Sequence, residues 1–162
     1  MAPALKPIRE RIERAVASRL ATIAESETYW FTLGAARIRR SPLKLDQFKF
    51  DPGPLAILLA QGPILTVARG SGAEYNPDYS QTSDQHSHRF AVWGYVVGEM
   101  DTDANLAGDL INRLWDDHRI ALLVDRTLGG VAKSLKPDGP MDTDDGEIEP
   151  FALFRQHWLA IT

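Results

Sequence analysis

At 162 residues the chain suits a single domain, long enough to bury roughly two thirds of its unfolded surface. It is 44% hydrophobic and 25% charged, which excludes a wholly disordered chain, a collagen-like chain and a disulfide scaffold. With no cysteine there is no disulfide, no zinc–thiolate centre and no thiol nucleophile. The net charge of −4 argues against general binding to duplex DNA, which needs a basic face. That charge is unevenly spread. Lys6, Arg9, Arg11, Arg14 and Arg19 load the N-terminal stretch, whereas residues 138–149 carry six acids and no base. The longest apolar run, Leu55 to Ala60, is too short to cross a bilayer, and the opening Met-Ala-Pro shows no secretory signal pattern.

Leu5 to Ala24 predicts an amphipathic helix. Leu5, Ile8, Ile12, Val16, Leu20 and Ile23 recur at spacings of three and four and fall on one stripe. The arginines off that stripe form a basic face, either solvated or set against an acidic partner. Tyr29 to Arg40 reads as a first strand region, with Arg37, Arg39 and Arg40 clustered at its end. Asp51-Pro52-Gly53-Pro54 marks a turn that launches Leu55 to Ala60, read as a strand buried on both faces. Ile64 to Ala68 is a further short strand. A long polar loop over about 69–87 follows, in which Tyr75 and Tyr79 offer contact potential.

His88 to Val97 predicts a strand with apolar residues on both faces, suited to mid-sheet or to an interface through Trp93. Gly94 within it suggests a close approach or a bulge. Asp101-Thr102-Asp103 caps a long helix that runs through Leu106, Leu110, Leu114, Ala121 and Leu122 to Val124. Asp116-Asp117-His118 reads as a kink or a wet face of that helix, and Gly129-Gly130 as its C-cap. Val131 to Leu135 is a short strand, residues 137–149 an acidic loop, and Phe151 to Ile161 a final alternating strand. Helix, strands, long helix, strands is an α+β order: a mostly antiparallel sheet with the N-terminal helix and one long helix packed on one face.

The motifs for chemistry are sparse. His86-Ser87-His88 places two imidazoles on one face of a strand, either as polar residues at a strand entrance or as part of a metal site in a small enzyme. Asp142-Thr143-Asp144-Asp145-Gly146-Glu147 departs from a calcium loop: glycine stands at the fifth position and Leu153 at the twelfth. There is no G-x-S-x-G, no Walker A and no G-x-G-x-x-G, and Gly70-Ser71-Gly72 lacks the elbow spacing. The expectation is therefore a protein that is not an enzyme.

Several stretches together resemble the tail-terminator, or tail-completion, proteins of long-tailed bacteriophages. They are the N-terminal helix with Ile8, Arg11, Ile12 and Leu20-Ala21-Thr22-Ile23; Arg37-Ile38-Arg39-Arg40; the Pro-led run Pro54 to Leu59; the strand Arg89 to Val97; and Ala121 to Gly130 with its Asp-x-Thr-Leu-Gly-Gly turn. The last strand, Trp158 to Thr162, completes the order. The stretch from Ile64 to Gln85 and the acidic stretch have no counterpart in that pattern.

The resemblance implies one tail-terminator-like domain over 1–162, with a fold like that of tail-tube subunits. It also implies a virion protein assembled in the host cytoplasm, with no cofactor and no membrane. Its copies form a ring, typically a hexamer, on the head-proximal end of the tail tube. There the ring stops tube growth and meets the head connector. A neck or head-completion protein on the portal side is the alternative. Under this reading Arg37, Arg39, Arg40, Tyr75, Tyr79 and Trp93 are interface candidates. Asp142, Asp144 and Asp145 are candidates for a lumen wall that lets DNA pass without binding it.

Overall fold

The computed structural model describes residues 6–44, 51, 53–69, 87–98, 106–144 and 151–162. Among them, three helices and six strands form a mixed α/β fold around one sheet: α1 (Ile8–Leu20), β1 (Ile38–Arg39), α2 (Gly53–Ala60), β2 (Ile64–Arg69), β3 (Ser87–Val97), α3 (Leu106–Val124), β4 (Ser134–Pro137), β5 (Asp142–Asp144) and β6 (Phe151–Ile161). The strand order is β1-β2-β3-β6-β4, with β5 also pairing β6. Every pairing is antiparallel except β1 with β2.

The long strands β3 and β6 pair over their full length, from Ser87 opposite Ile161 to Val97 opposite Phe151. Side chains alternate across the sheet. Phe90, Val92 and Val96 of β3 and Ala152, Phe154, Trp158 and Ala160 of β6 point to the face covered by α1 and α3. Ile12, Val16 and Leu20 of α1 and Ile111, Leu114, Ala121 and Leu122 of α3 close that core. Arg19 Nε donates to the Ala121 carbonyl at 3.0 Å and ties the two helices together. Both helices sit on one face, as the pattern of apolar spacings predicts.

The opposite face has its own, smaller core: Ile64, Tyr95 and Phe151 under Leu55 and Leu59 of α2. Here the sequence reading is corrected. Residues 55–60 form a helix and not a strand. A six-residue apolar run has no period long enough to separate the two states. Pro54 in the first turn and the Leu/Ala-rich composition favour the helix. Leu55 and Leu59, one turn apart, are buried, while Ile57 on the far side is 70% exposed.

Other boundaries also move. Of the strand predicted over Tyr29 to Arg40 only Ile38–Arg39 pairs, preceded by a 3-10 turn at Ala35–Arg37. The earlier part is a loop closed on itself: Leu33 N–H donates to Ile23 O, Ser26 N–H to Tyr29 O, and Glu25 N–H to Thr32 Oγ1. The helix α3 ends at Val124, before the glycines. Asp125 then accepts from Thr127 N–H, Thr127 Oγ1 and Gly129 N–H, and Gly129 and Gly130 take φ of 67° and 85°. That turn also takes Ala132 N–H onto Thr127 O, so the next strand starts at Ser134 and not at Val131. Within the acidic loop, Asp142–Asp144 is strand β5 on the edge of β6. The cap at Asp101 to Asp103 and the loop at 70–86 lie outside the described residues.

Gly94 is a close approach: a Cβ built there would stand 2.2 Å from Phe154 Cε1 on the neighbouring strand. Phe154 is fully buried and has no room to retreat. Gly94→Ala is therefore expected to cost roughly 1–3 kcal/mol through overpacking. Urea unfolding of the variant against the parent protein measures it, and equal midpoints would refute the packing argument.

Candidate assembly surfaces

The self-closed loop between α1 and β1 presents Trp30, which is 57% exposed. Its position is set from beneath. Asp117 of α3 is fully buried, and its carboxylate accepts from Trp30 N–H at 3.0 Å and from Phe31 N–H at 2.9 Å. Burial pushes the Asp117 carboxyl above the usual range; the neighbouring Asp116 charge adds to this, and the backbone donors oppose it. Four residues earlier on the same helix, the Arg113 guanidinium lies 4.8 Å from the centre of the Trp30 ring. The result is an exposed indole held at its backbone and stacked with a cation.

Next to Asp117, His118 is also fully buried. Its Nδ1 contacts the Trp115 carbonyl, and its Nε2 accepts from Trp158 Nε1–H at 3.3 Å. Burial drives its pKa down to about 3, so the ring is neutral in the folded protein. The reading of 116–118 as a kink or a wet face is overturned for Asp117 and His118. The signal was present: Leu114, Asp117, His118 and Ala121 keep the spacing of three and four that marks the buried stripe. Polar identity masked it.

Within α3 the Arg119 guanidinium lies 5.5 Å from the centre of the Trp115 ring, a second aromatic–cation pair. A third lies on the other side of the sheet. Trp93 and Arg155 stand opposite each other on β3 and β6, with the guanidinium 5.3 Å from the ring centre. Arg155 Nε and a terminal nitrogen both donate to Asp142 Oδ2 of β5, at 3.1 and 2.6 Å. That contact holds the Asp142 carboxyl below its usual range. Along the same face Arg89 pairs with Asp138 at 2.7 Å. His157 lies among these charges, and its pKa is lowered first by burial and then by Arg89 and Arg155.

The arginines singled out in the sequence separate into different roles. Arg37 donates to the carbonyls of Pro63, Leu58 and Gly62 and caps the C-terminal end of α2. Arg40 bonds Glu13 at 3.1 Å, a nearly buried acid of α1 that also meets Arg9. Arg39 is exposed on β1. On the basic helix, Lys6 and Arg14 share Glu10, so much of its charge is answered within the chain. Tyr75, Tyr79, His86 and Asp145 lie outside the described residues, and Asp144 is placed only as part of β5. His88 Nε2 lies 3.4 Å from Thr162 Oγ1.

An apolar cleft of about 440 Å³ opens between α2, the end of β3 and α3, lined by Phe31, Leu59, Pro63, Val96 and Leu110 among others. Among the described residues no ionisable side chain lines it. Among the described residues no group of three His, Asp or Glu side chains is arranged to hold a metal ion, and no helix is long and apolar enough to cross a membrane. No known family model matches the chain, and no curated protein matches it.

Proposed function

We propose that the chain is a structural subunit that works by joining copies of itself into a ring, as a tail-terminator-like protein closing the head-proximal end of a phage tail tube. One observation carries the self-assembly. The Trp30–Arg113 stack stands on the helix-covered side of the sheet, and the Trp93–Arg155 stack on the opposite face. Tryptophan and arginine dominate the energetics of protein contacts. A closed ring of head-to-tail contacts needs two different patches on each subunit. The placement on a tail tube rests on the resemblance of the element order and of the Ala121 to Gly130 stretch to tail terminators.

The test is negative-stain imaging of the purified protein, alone and mixed with the tube protein of the same phage. Rings of uniform diameter, and tubes capped at one end, are the expected result. Trp30→Ala and Trp93→Ala should each reduce the ring fraction at least tenfold. A protein that stays monomeric and leaves tube growth unchecked would overturn the reading.

A further inference from the structure

We propose that two of the three aromatic–cation pairs, those on opposite sides of the sheet, bind each other: Trp30 and Arg113 of one copy seat on Trp93, Arg155 and Asp142 of the next. This rests on the ring reading and identifies the contact that would build it.

Charge complementarity selects the partner. Among the described residues Arg113 meets no carboxylate; its stack on Trp30 is the contact it makes. On the opposite face the carboxylate of Asp142 is 55% exposed. Both Arg155 bonds fall on its Oδ2, and Oδ1 accepts no hydrogen bond among the described residues. A carboxylate can take a second guanidinium on its free oxygen. Among the described residues Arg113 is thus a cation without an acid, and Asp142 an acid with one oxygen unused.

Geometry adds direction. The platforms stand on different sides of the sheet, so a two-fold pair cannot join one to the other without leaving the remaining two open. Two Trp30 platforms repel, because Arg113 would face Arg113; the Trp93 platform balances Asp142 with Arg155, so what it offers a further cation is the open Asp142 oxygen. Head-to-tail stacking brings Arg113 to the open oxygen of Asp142, and repeated, that contact either closes into a ring or runs on as a filament. The rigid hold of Asp117 on the backbone at Trp30 lowers the ordering cost of the contact.

The chain contains no cysteine, which makes the contact testable by cross-linking. Asn112 and Pro140 are exposed, stand one and two residues from Arg113 and Asp142, and belong to neither platform. Asn112→Cys and Pro140→Cys chains are mixed and treated with a short bis-maleimide. The expected product joins residue 112 of one copy to residue 140 of another, and neither chain alone gives a comparable yield. Adding Arg113→Glu, or separately Trp30→Ala, should lower that yield at least tenfold while thermal unfolding confirms a folded protein. Joining 112 to 112 or 140 to 140 as the main product overturns the proposal. So do rings on the microscope grid without a 112–140 product, in which case the ring reading stands. A monomer with no product overturns both.

Discussion

Asp117→Ala is expected to destabilise the protein by roughly 2–4 kcal/mol, the largest effect of any single surface-remote substitution proposed for it. The carboxylate is fully buried and accepts from the backbone N–H groups of Trp30 and Phe31. Alanine leaves those donors without an acceptor beneath the loop and opens a cavity in the helix packing. The loop should lose order before the sheet does. Amide exchange at residues 23–33 should therefore accelerate more than exchange in β3 and β6, and Trp30 emission should shift toward that of free indole. Asp117→Asn keeps an acceptor oxygen and should recover a large part of the loss. If alanine and asparagine behaved alike, or if exchange rose uniformly, the carboxylate would not be what holds the loop.

Stability should fall as the pH drops below about 6.5, at up to about 1.4 kcal/mol per pH unit, because the unfolded chain takes up a proton that buried His118 refuses. The direction follows from its folded pKa of about 3 against an ordinary 6.5. The contribution is fully present above the unfolded value and is lost progressively as the pH falls toward the folded one. His157 is lowered as well and acts in the same direction. Asp117 opposes them: its raised pKa lets the native state bind a proton first, so it returns some stability as the pH approaches the ordinary carboxylate range. Glu10, Asp125 and Asp142, all lowered, act only below that range and steepen the last part of the acid limb. Urea unfolding at about pH 7, 6 and 5 reads the histidine window directly. His118→Phe should cost roughly 1–3 kcal/mol at neutral pH, since Trp158 Nε1–H loses its acceptor, yet flatten the acid slope. An unchanged slope in that variant would remove His118 from the account.

Long periodic segments were legible before the structure. The stripe Ile12, Val16, Leu20 gave α1, and the spacing of Leu114, Ala121 and Leu122 gave α3. The strand Phe151 to Ile161 alternates as a pleated strand must, and it pairs over its whole length. Gly94 within a strand signalled a close approach, and Phe154 is what approaches it. Short segments were not legible. Residues 55–60 give less than two turns of pattern, and the aromatic run at 29–31 has strand composition but spends the N–H groups of Trp30 and Phe31 on a carboxylate 86 residues or more away and that of Tyr29 on Ser26 Oγ. The sheet-facing Trp93 was visible as a contact candidate because both faces of its strand are apolar. Trp30 was not, because its exposure depends on where Asp117 pins the chain.

The amino-acid sequence by itself determined the elements with repeated spacing, their amphipathic faces, the α+β class and the absence of thiol chemistry, because each depends on near neighbours or on composition. Tertiary structure alone decided which side of the sheet received α2, that Asp117 and His118 turn inward, that Arg37 caps a helix, and that a Trp–Arg stack stands on each side of the sheet. These depend on which distant residues meet. Burial then reverses the ordinary preferences of polar side chains: the helical spacing of Asp117 and His118 marks the buried stripe, but only the contacts from the loop and from Trp158 give those polar groups a reason to stay in it.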